Sequence, residues 1–476
     1  VRIIAIGAEA YDGADTENDN LAIGEGALGG SVAGGEFNVA VGNYTLDALT
    51  SGDNNTALGY EAGTALTTGI DNTILGYTAA KGLTTASYNL ILGADACDTG
   101  TMTGNLNTIV GFQAARNLTS AVENVIIGAS AGDSLTTGGY HTLIGRQAGD
   151  GFDTENHNMA IGVSALGGPV AGGEYNVAVG SYSLDALTSG DQSVAVGYEA
   201  GSDTTTGRIL AIGYRAGKGN TSGGGIIAIG DSAYVQADTE NYNLAIGQEA
   251  MTGPVAGGEY NIAVGHFALD ALTSGDLNTV MGYNAGGVLT TGVRNVIIGS
   301  NAADSMVSGS SNVIIGDEAV GGGAFTSSKL VAIGRNAGFD LTDGANTTLV
   351  GYEAGQNLTT GDSNIAIGAN SLDLCDTESS NLAIGVDAMH GSIAGGEFNV
   401  CIGNNTGDAI TSGDHNTILG YLAGSGLTTG SDNILIGSQA SMADVSHNNA
   451  IVIGREIQGN GDRFSFGKAS NVVQNT

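Results

Sequence analysis

Asn124-Val125-Ile126-Ile127-Gly128 decides how the chain folds. The same arrangement, Asn followed by three apolar-type residues and Gly, returns as Asn20-Leu21-Ala22-Ile23-Gly24, Asn72-Thr73-Ile74-Leu75-Gly76 and Asn433-Ile434-Leu435-Ile436-Gly437. The closing glycine recurs 27 times between Gly7 and Gly454, at spacings of 16 to 18 residues and most often 17. Repetition at a fixed period marks an architecture in which each unit buries its apolar face against its neighbours.

Taking that glycine as the reference, the residue before it is Ile, Val, Leu or Met in every copy, and the one before that is Ala, Ile, Leu, Val or Cys. The third one back is apolar or Thr throughout. Side chains alternate faces along a strand, so three consecutive apolar positions call for burial on both faces. A solenoid hides one face of each strand inside its own coil. The other face needs a partner, and association of identical chains side by side supplies one.

The remainder of the unit suggests a coil of two strands. After Gly59 come Tyr60-Glu61-Ala62-Gly63, then Leu66-Thr67-Thr68-Gly69, then a polar turn into Asn72. Ala three past the glycine suits a tight bend, and Thr-Thr-Gly and Ser-Gly-Asp carry turn chemistry. The Asn that opens most strands suits a ladder of side chains between stacked coils. At about 4.8 Å per coil, 27 coils predict a rod of roughly 130 Å. The expected fold is an all-β parallel β-roll over 1–454, with 455–476 as a C-terminal junction.

A longer repeat is laid over the short one. Asp15-Thr16-Glu17-Asn18 returns as Asp153-Thr154-Glu155-Asn156, Asp238-Thr239-Glu240-Asn241 and Asp376-Thr377-Glu378-Ser379, at separations of 138, 85 and 138 residues. Each is followed by an Ala-Gly-Gly-Glu-(Phe/Tyr)-Asn segment. Whole coils have been duplicated and some deleted, as expected where reach and surface matter more than one pocket.

Composition limits the function. The chain has 82 Gly, 2 Pro, no Trp and 13% charged residues, so its interior is thin and poor in large side chains. The formal net charge of −35 is the wrong sign for gripping phosphate backbones, so nucleic acid is not an expected partner. No apolar run approaches the roughly 18 to 20 residues of a membrane helix, and membrane insertion is not expected. The chain opens on a repeat at Val1 without Met or a signal peptide, and is expected to be a fragment or a processed chain. Cys97, Cys375 and Cys401 are too few and scattered for a disulfide framework or a zinc site. Cys401 stands where other copies have Ala40, Ala178 and Ala263, as a small packing residue does.

The strands Asn38-Val39-Ala40-Val41-Gly42, Ser193-Val194-Ala195-Val196-Gly197 and Asn381-Leu382-Ala383-Ile384-Gly385 resemble the head repeats of trimeric autotransporter adhesins. That resemblance implies a homotrimer of left-handed parallel β-rolls. The period departs from that family, being about 17 rather than 14. Units with Gly-Tyr-Glu-Ala-Gly and Leu-Thr-Thr-Gly look more like the repeats of bacteriophage tail fibres. The stretch from Gly454-Arg455-Glu456-Ile457-Gln458-Gly459 to Arg463-Phe464-Ser465-Phe466-Gly467-Lys468 is similar to the junction that precedes a self-cleaving chaperone of the endosialidase type. The resemblance implies an extracellular virion fibre that attaches to a host receptor, such as a glycan or an outer-membrane component, with maturation cleavage near Thr476. The alternative is the head of a bacterial surface adhesin.

The motifs that suggest chemistry are weaker. Gly24-Glu25-Gly26-Ala27-Leu28-Gly29 matches a dinucleotide fingerprint, but Ser164, Glu249 and Asp387 replace Gly26 in the other long copies and no helix follows. His141, His157, His266, His390, His415 and His447 occupy different phases and are expected at solvated turns or strand edges. Alternation points His141 and His157 to opposite sides. Tyr60, Tyr198, Tyr283, Tyr352 and Tyr421 follow their glycines in register and are expected to pack at the coil corner or a subunit seam, with contact to a receptor glycan as the other reading.

A carboxylate column is the best chemical candidate. Glu36 and Asp53 lie six residues before their glycines on adjacent coils, as do Glu174 with Asp191, Glu259 with Asp276, and Glu397 with Asp414. Stacking brings each pair within about 5 Å. They form a solvated acidic ridge or, as the second reading, share Ca²⁺ through hard oxygen ligands. A similar spacing serves retaining glycosidases, but four equivalent pairs without a cleft do not make an enzyme. A structural and adhesive fibre segment is therefore expected, with a polysaccharide depolymerase as the enzymatic alternative.

Overall fold

The computed structural model describes residues 2–13, 18–169, 172–392 and 394–474. Val1, Asp15, Thr16 and Glu17 of the first long repeat, and Thr476, lie outside the described residues. The chain is all-β, a parallel β-solenoid of about 27 turns with successive turns about 17 residues apart. It divides into two units, Val1–Thr239 and Glu240–Thr476.

In the first unit the strands run from Ile4–Ile6 to Ile226–Ile229, and each pairs in parallel with the next. The register places like phases opposite one another, as in Thr73↔Leu90, Ile74↔Ile91 and Leu75↔Leu92. The second unit repeats the plan from Leu244–Ile246 to Ile451–Arg455. There the parallel ladder runs on past 454 into Phe464–Lys468, which then pairs antiparallel with Asn471–Gln474.

Most turns carry one strand, not the expected two. Opposite the strands the backbone runs through successive turns, and among the described residues the second side pairs as a ladder only at Leu83↔Met102 and at Ser441–Met442 with Gln458–Gly459. The physical reason lies in the dihedrals. From Gly7 to Gly420 the residues two and four past the strand-ending glycine hold left-handed φ, as Glu61 (54°) and Ala80 (51°) do, and so does the residue before each strand-opening Asn, such as Tyr88 (62°). Left-handed residues interrupt extended backbone and leave short corners between them.

The interior is a set of side-chain columns. The middle strand residue points inward and is fully buried, from Ala22 and Ile74 to Ile418 and Leu435. The Ala three past the glycine is buried as expected, and a third column, Leu49, Leu66, Leu118 and Leu135, lines the far wall. Size is balanced between columns. Leu46 fills the space beside the small Ala40 and Ala57, whereas one turn later Gly63 faces Ile74, whose Cδ1 would stand 2.9 Å from any added Cβ. Close packing tolerates neither a void nor an overlap, so a large residue in one column demands a small one in the other.

The strand-ending glycine is fixed by its neighbour. At Gly59 φ is 143°, and a Cβ would lie 2.1 Å from the carbonyl oxygen of Gly76, the glycine of the next turn. No side chain fits there. The expected Asn ladder is present: Asn72 donates from its N–H (3.1 Å) and Nδ2 (2.9 Å) to Asn55 Oδ1, and its own Oδ1 accepts the N–H of Asn89 at 3.0 Å. Nδ2 of Asn72 also donates across the coil to the Ala86 carbonyl at 2.9 Å. The buried amide thus satisfies itself and two backbone groups, as a dry interior requires.

Candidate functional site

Three surfaces are candidates: the carboxylate column, the tyrosine column and the outer faces of the strands. In the carboxylate column each Asp turns one oxygen to the backbone of the preceding turn. Asp53 Oδ1 accepts the N–H of Glu36 at 2.8 Å, Asp191 that of Glu174 at 2.8 Å, Asp276 that of Glu259 at 2.8 Å, and Asp414 that of Glu397 at 2.9 Å. The glutamates look the other way. Asn18, Asn156 and Asn241 donate from Nδ2 to Glu36, Glu174 and Glu259 at 3.4, 3.0 and 2.8 Å. The first three pairs therefore carry a relay of hydrogen bonds from turn to turn, and Ser379 takes the Asn place in the fourth copy. Ca²⁺ takes six to eight oxygens. Among the described residues no third acidic or imidazole group joins any pair to form a metal-binding cluster.

The Asp-Thr-Glu-Asn motif has a role that its composition did not reveal. Glu155 is buried, with Oε2 accepting the N–H of Asp153 (2.8 Å) and Thr154 (3.0 Å) and Oε1 that of Gly172 (2.7 Å). Glu378 repeats this with Asp376 (2.9 Å), Thr377 (3.1 Å) and Gly395 (2.9 Å), and Glu240 accepts the N–H of Gly257 at 2.8 Å. A buried carboxylate surrounded by amide donors is a strong local fastener. It pins the Gly-rich insertion of the 18-residue turns. The hint in the sequence was the Gly-Gly that follows each such Glu at a constant distance.

His141 corrects the expectation of a solvated histidine. It replaces a ladder Asn and is buried, stacked on Phe152 with centroids 4.9 Å apart. Asn158 N–H donates to Nδ1 (3.2 Å) and the Glu155 carbonyl receives Nε2–H (2.7 Å), which fixes the neutral tautomer. Burial pushes its pKa down. His157 lies on the opposite side, as alternation implied, sandwiched between Tyr140 (4.8 Å) and Tyr175 (4.9 Å). The three cysteines are buried and free, and burial pushes each thiol pKa up.

The tyrosines that follow the glycines are exposed, Tyr60 to 40% and Tyr421 to 54%, rather than packed away within the coil. In the first unit they form clusters. Tyr44 meets Tyr60 edge-on (6.2 Å, 89°) and Tyr60 stacks on Tyr77 (5.3 Å, 14°). Tyr182, Tyr198 and Tyr214 repeat the geometry at 6.0 Å, 84° and 5.6 Å, 11°.

The outer strand faces carry the residues on either side of each buried middle position. Leu58, Leu75, Val196, Ile212 and Met281 are exposed and aligned from turn to turn. A recess of about 350 Å³ over Val194, Leu210 and Ile227 belongs to this face. Among the described residues no helix is long and apolar enough to cross a membrane. No protein-family model matches the chain, and no curated protein matches it in sequence at a significant level.

Proposed function

We propose that the chain is a structural and adhesive fibre segment, the shaft or distal part of a phage tail fibre, whose copies join along their outer strand faces as a homotrimer. The aligned apolar stripe carries this reading. A solenoid needs only its inner column to be apolar, and water selects no Ile or Leu for the outer positions. One unit alone has fourteen strands with outward residues. If each of two outward side chains per strand gains roughly 0.5 kcal/mol on partial burial, the total of roughly 14 kcal/mol matches the upper range of association costs, about 4–15 kcal/mol. Both units together exceed it.

The parallel ladder, the Asn column and the buried Glu fasteners support a mechanical task. They present differing corners for contact with a host surface. Mass in solution by light scattering and native mass spectrometry tests the assembly, with three chains expected. A stable monomer overturns it. Val125→Asp with Ile127→Asp is expected to weaken the assembly without unfolding the turn, because neither side chain enters the inner column.

A further inference from the structure

We propose that the first unit carries two equivalent binding sites for neutral saccharides, one built on Tyr44, Asp47, Glu61 and Lys81, the other on Tyr182, Asp185, Glu199 and Lys218. The inference deepens the attachment reading above and rests on it for its biological use. Its geometry stands on observations of its own.

The first is recurrence. Tyr44, Asp47 and Glu61 return 138 residues later as Tyr182, Asp185 and Glu199, and Lys81 returns as Lys218 after one shortened turn. The structure forms an open recess at each place, of about 290 Å³ beside Tyr44 and about 420 Å³ beside Tyr182 and Tyr198. A pyranose ring fits such volumes. Tyr44 lines the first recess and Tyr182 and Tyr198 the second, each belonging to the same aromatic corner, one tyrosine edge-on to a second that stacks on a third.

The polar groups converge in the same way. Lys81 Nζ lies 2.6 Å from Glu61 Oε2, and Lys218 Nζ lies 2.5 Å from Glu199 Oε2. Arg215 adds a second cation at 2.9 Å from Glu199. Hydrogen bonding to the lysine pulls the pKa of each Glu down, so both are anions at neutral pH. At the floor, burial raises the pKa of Asp47 and lifts that of Asp185 to about 6. A half-buried carboxyl presents acceptor oxygens to which sugar hydroxyls can donate.

Sugars match this set because a pyranose has one face of C–H groups and a rim of hydroxyls. The C–H face meets the negative face of a tyrosine ring, and the rim meets carboxylate acceptors and an ammonium donor. The formal net charge of −35 decides between neutral and anionic glycans, since it opposes the approach of carboxylated or sulfated sugars.

The second unit keeps the phase and loses the constellation. In the third long copy Phe267, Asn284 and Asp304 stand where Tyr44, Glu61 and Lys81 stand, and in the fourth Asn405 and Leu422 replace Tyr44 and Glu61. The fold accepts these residues at left-handed φ of 52° and 54°, matching 60° at Tyr44 and 54° at Glu61. They are therefore substitutions that the backbone tolerates.

The full chain is to be screened on an array of neutral, sialylated and sulfated oligosaccharides, and the strongest neutral ligand titrated by calorimetry. Two ligands per chain are expected. Tyr44→Asn with Glu61→Leu should leave one, and adding Tyr182→Asn with Glu199→Leu should reduce affinity at least tenfold, with the oligomer mass unchanged. Binding to anionic glycans alone, no binding to neutral ones, or binding that survives all four substitutions overturns the proposal. So does loss of the oligomer on Tyr198→Ala, which would place the corner in the subunit seam. A chain that is trimeric but binds no saccharide refutes the sites and leaves the fibre reading intact. A monomer that binds two refutes only the fibre reading.

Discussion

Oδ1 of Asn278 accepts two hydrogen bonds from Asn295, one from its backbone N–H and one from its Nδ2, each 3.0 Å long. Asn295 in the same manner accepts the N–H of Asn312 at 3.0 Å and reaches across the turn to the Gly309 carbonyl at 2.9 Å. Asn295→Ala keeps the backbone N–H on Asn278 Oδ1 and deletes the three side-chain bonds, leaving the Asn312 N–H and the Gly309 carbonyl without that partner. With each orphaned buried group costing about 1–3 kcal/mol, a loss of about 3 kcal/mol is expected. Because contacts in a solenoid are between neighbours, the loss should be local. Hydrogen exchange should show faster exchange at Asn312 and unchanged protection several turns away.

The two kinds of glycine should differ. Gly59→Ala brings a Cβ to 2.1 Å from a backbone oxygen that cannot move without shifting the next turn, and should cost more than about 3 kcal/mol. Gly63→Ala meets only side-chain tips of Ile74 and Leu46, at 2.9 and 3.0 Å, and Ala80 already occupies the equivalent place. A cost of about 1 kcal/mol is expected there. Urea denaturation of both variants checks the order, and equal midpoints would refute it.

His141 makes stability depend on pH. Burial lowers its pKa in the fold below the value of about 6.5 in an unfolded chain, so the unfolded state takes up a proton that the folded state refuses. Stability is then lost as pH falls below about 6.5. The raised carboxyl of Asp185 acts oppositely, adding stability as pH falls through about 6. His141→Asn restores the ladder residue and removes only the first effect. The fall in melting temperature contributed by His141 between pH 7 and pH 5 should vanish when the variant is compared with the parent.

Asp276 separates a backbone cap from a cation ligand. Asn keeps an oxygen for the Glu259 N–H, whereas Ala does not, so Asp276→Asn should be nearly silent and Asp276→Ala should cost about 1 kcal/mol. Adding Ca²⁺ or a chelator should leave the melting temperature unchanged. A rise with Ca²⁺ that Asp276→Asn abolishes would instead establish the shared ion.

Much of the fold was legible because the strand pattern is local and repeated. The inner column, the Asn ladder and the apolar outer stripe all follow from five consecutive residues such as Asn72 to Gly76. The missing second strand was not legible, since left-handed φ falls on ordinary residues such as Glu61, Tyr88 and Leu46 as readily as on glycines such as Gly63. Nor was the balance between Leu46 and Ala40, although a comparison of residue sizes between phases would have exposed it. Glu155 looked like turn polarity because its amide partners come from two different turns. The tyrosine corners were half visible: Tyr60 and Tyr198 stood out in register, while Tyr44, Asp47 and Lys81 belong to them only once the turns are stacked.

The ladder also sets how the chain carries load. Each turn is held to the next by the same few bonds, and those bonds lie along the direction in which the turns succeed one another. Tension applied to the two ends passes through every turn in series, so the few bonds of one junction share their burden with no other junction. A lone chain should peel turn by turn at nearly constant force, each step releasing about 60 Å of slack for 17 residues. In the proposed trimer three chains joined along their outer strands would carry the load in parallel, a gain that the stability of any one turn does not give.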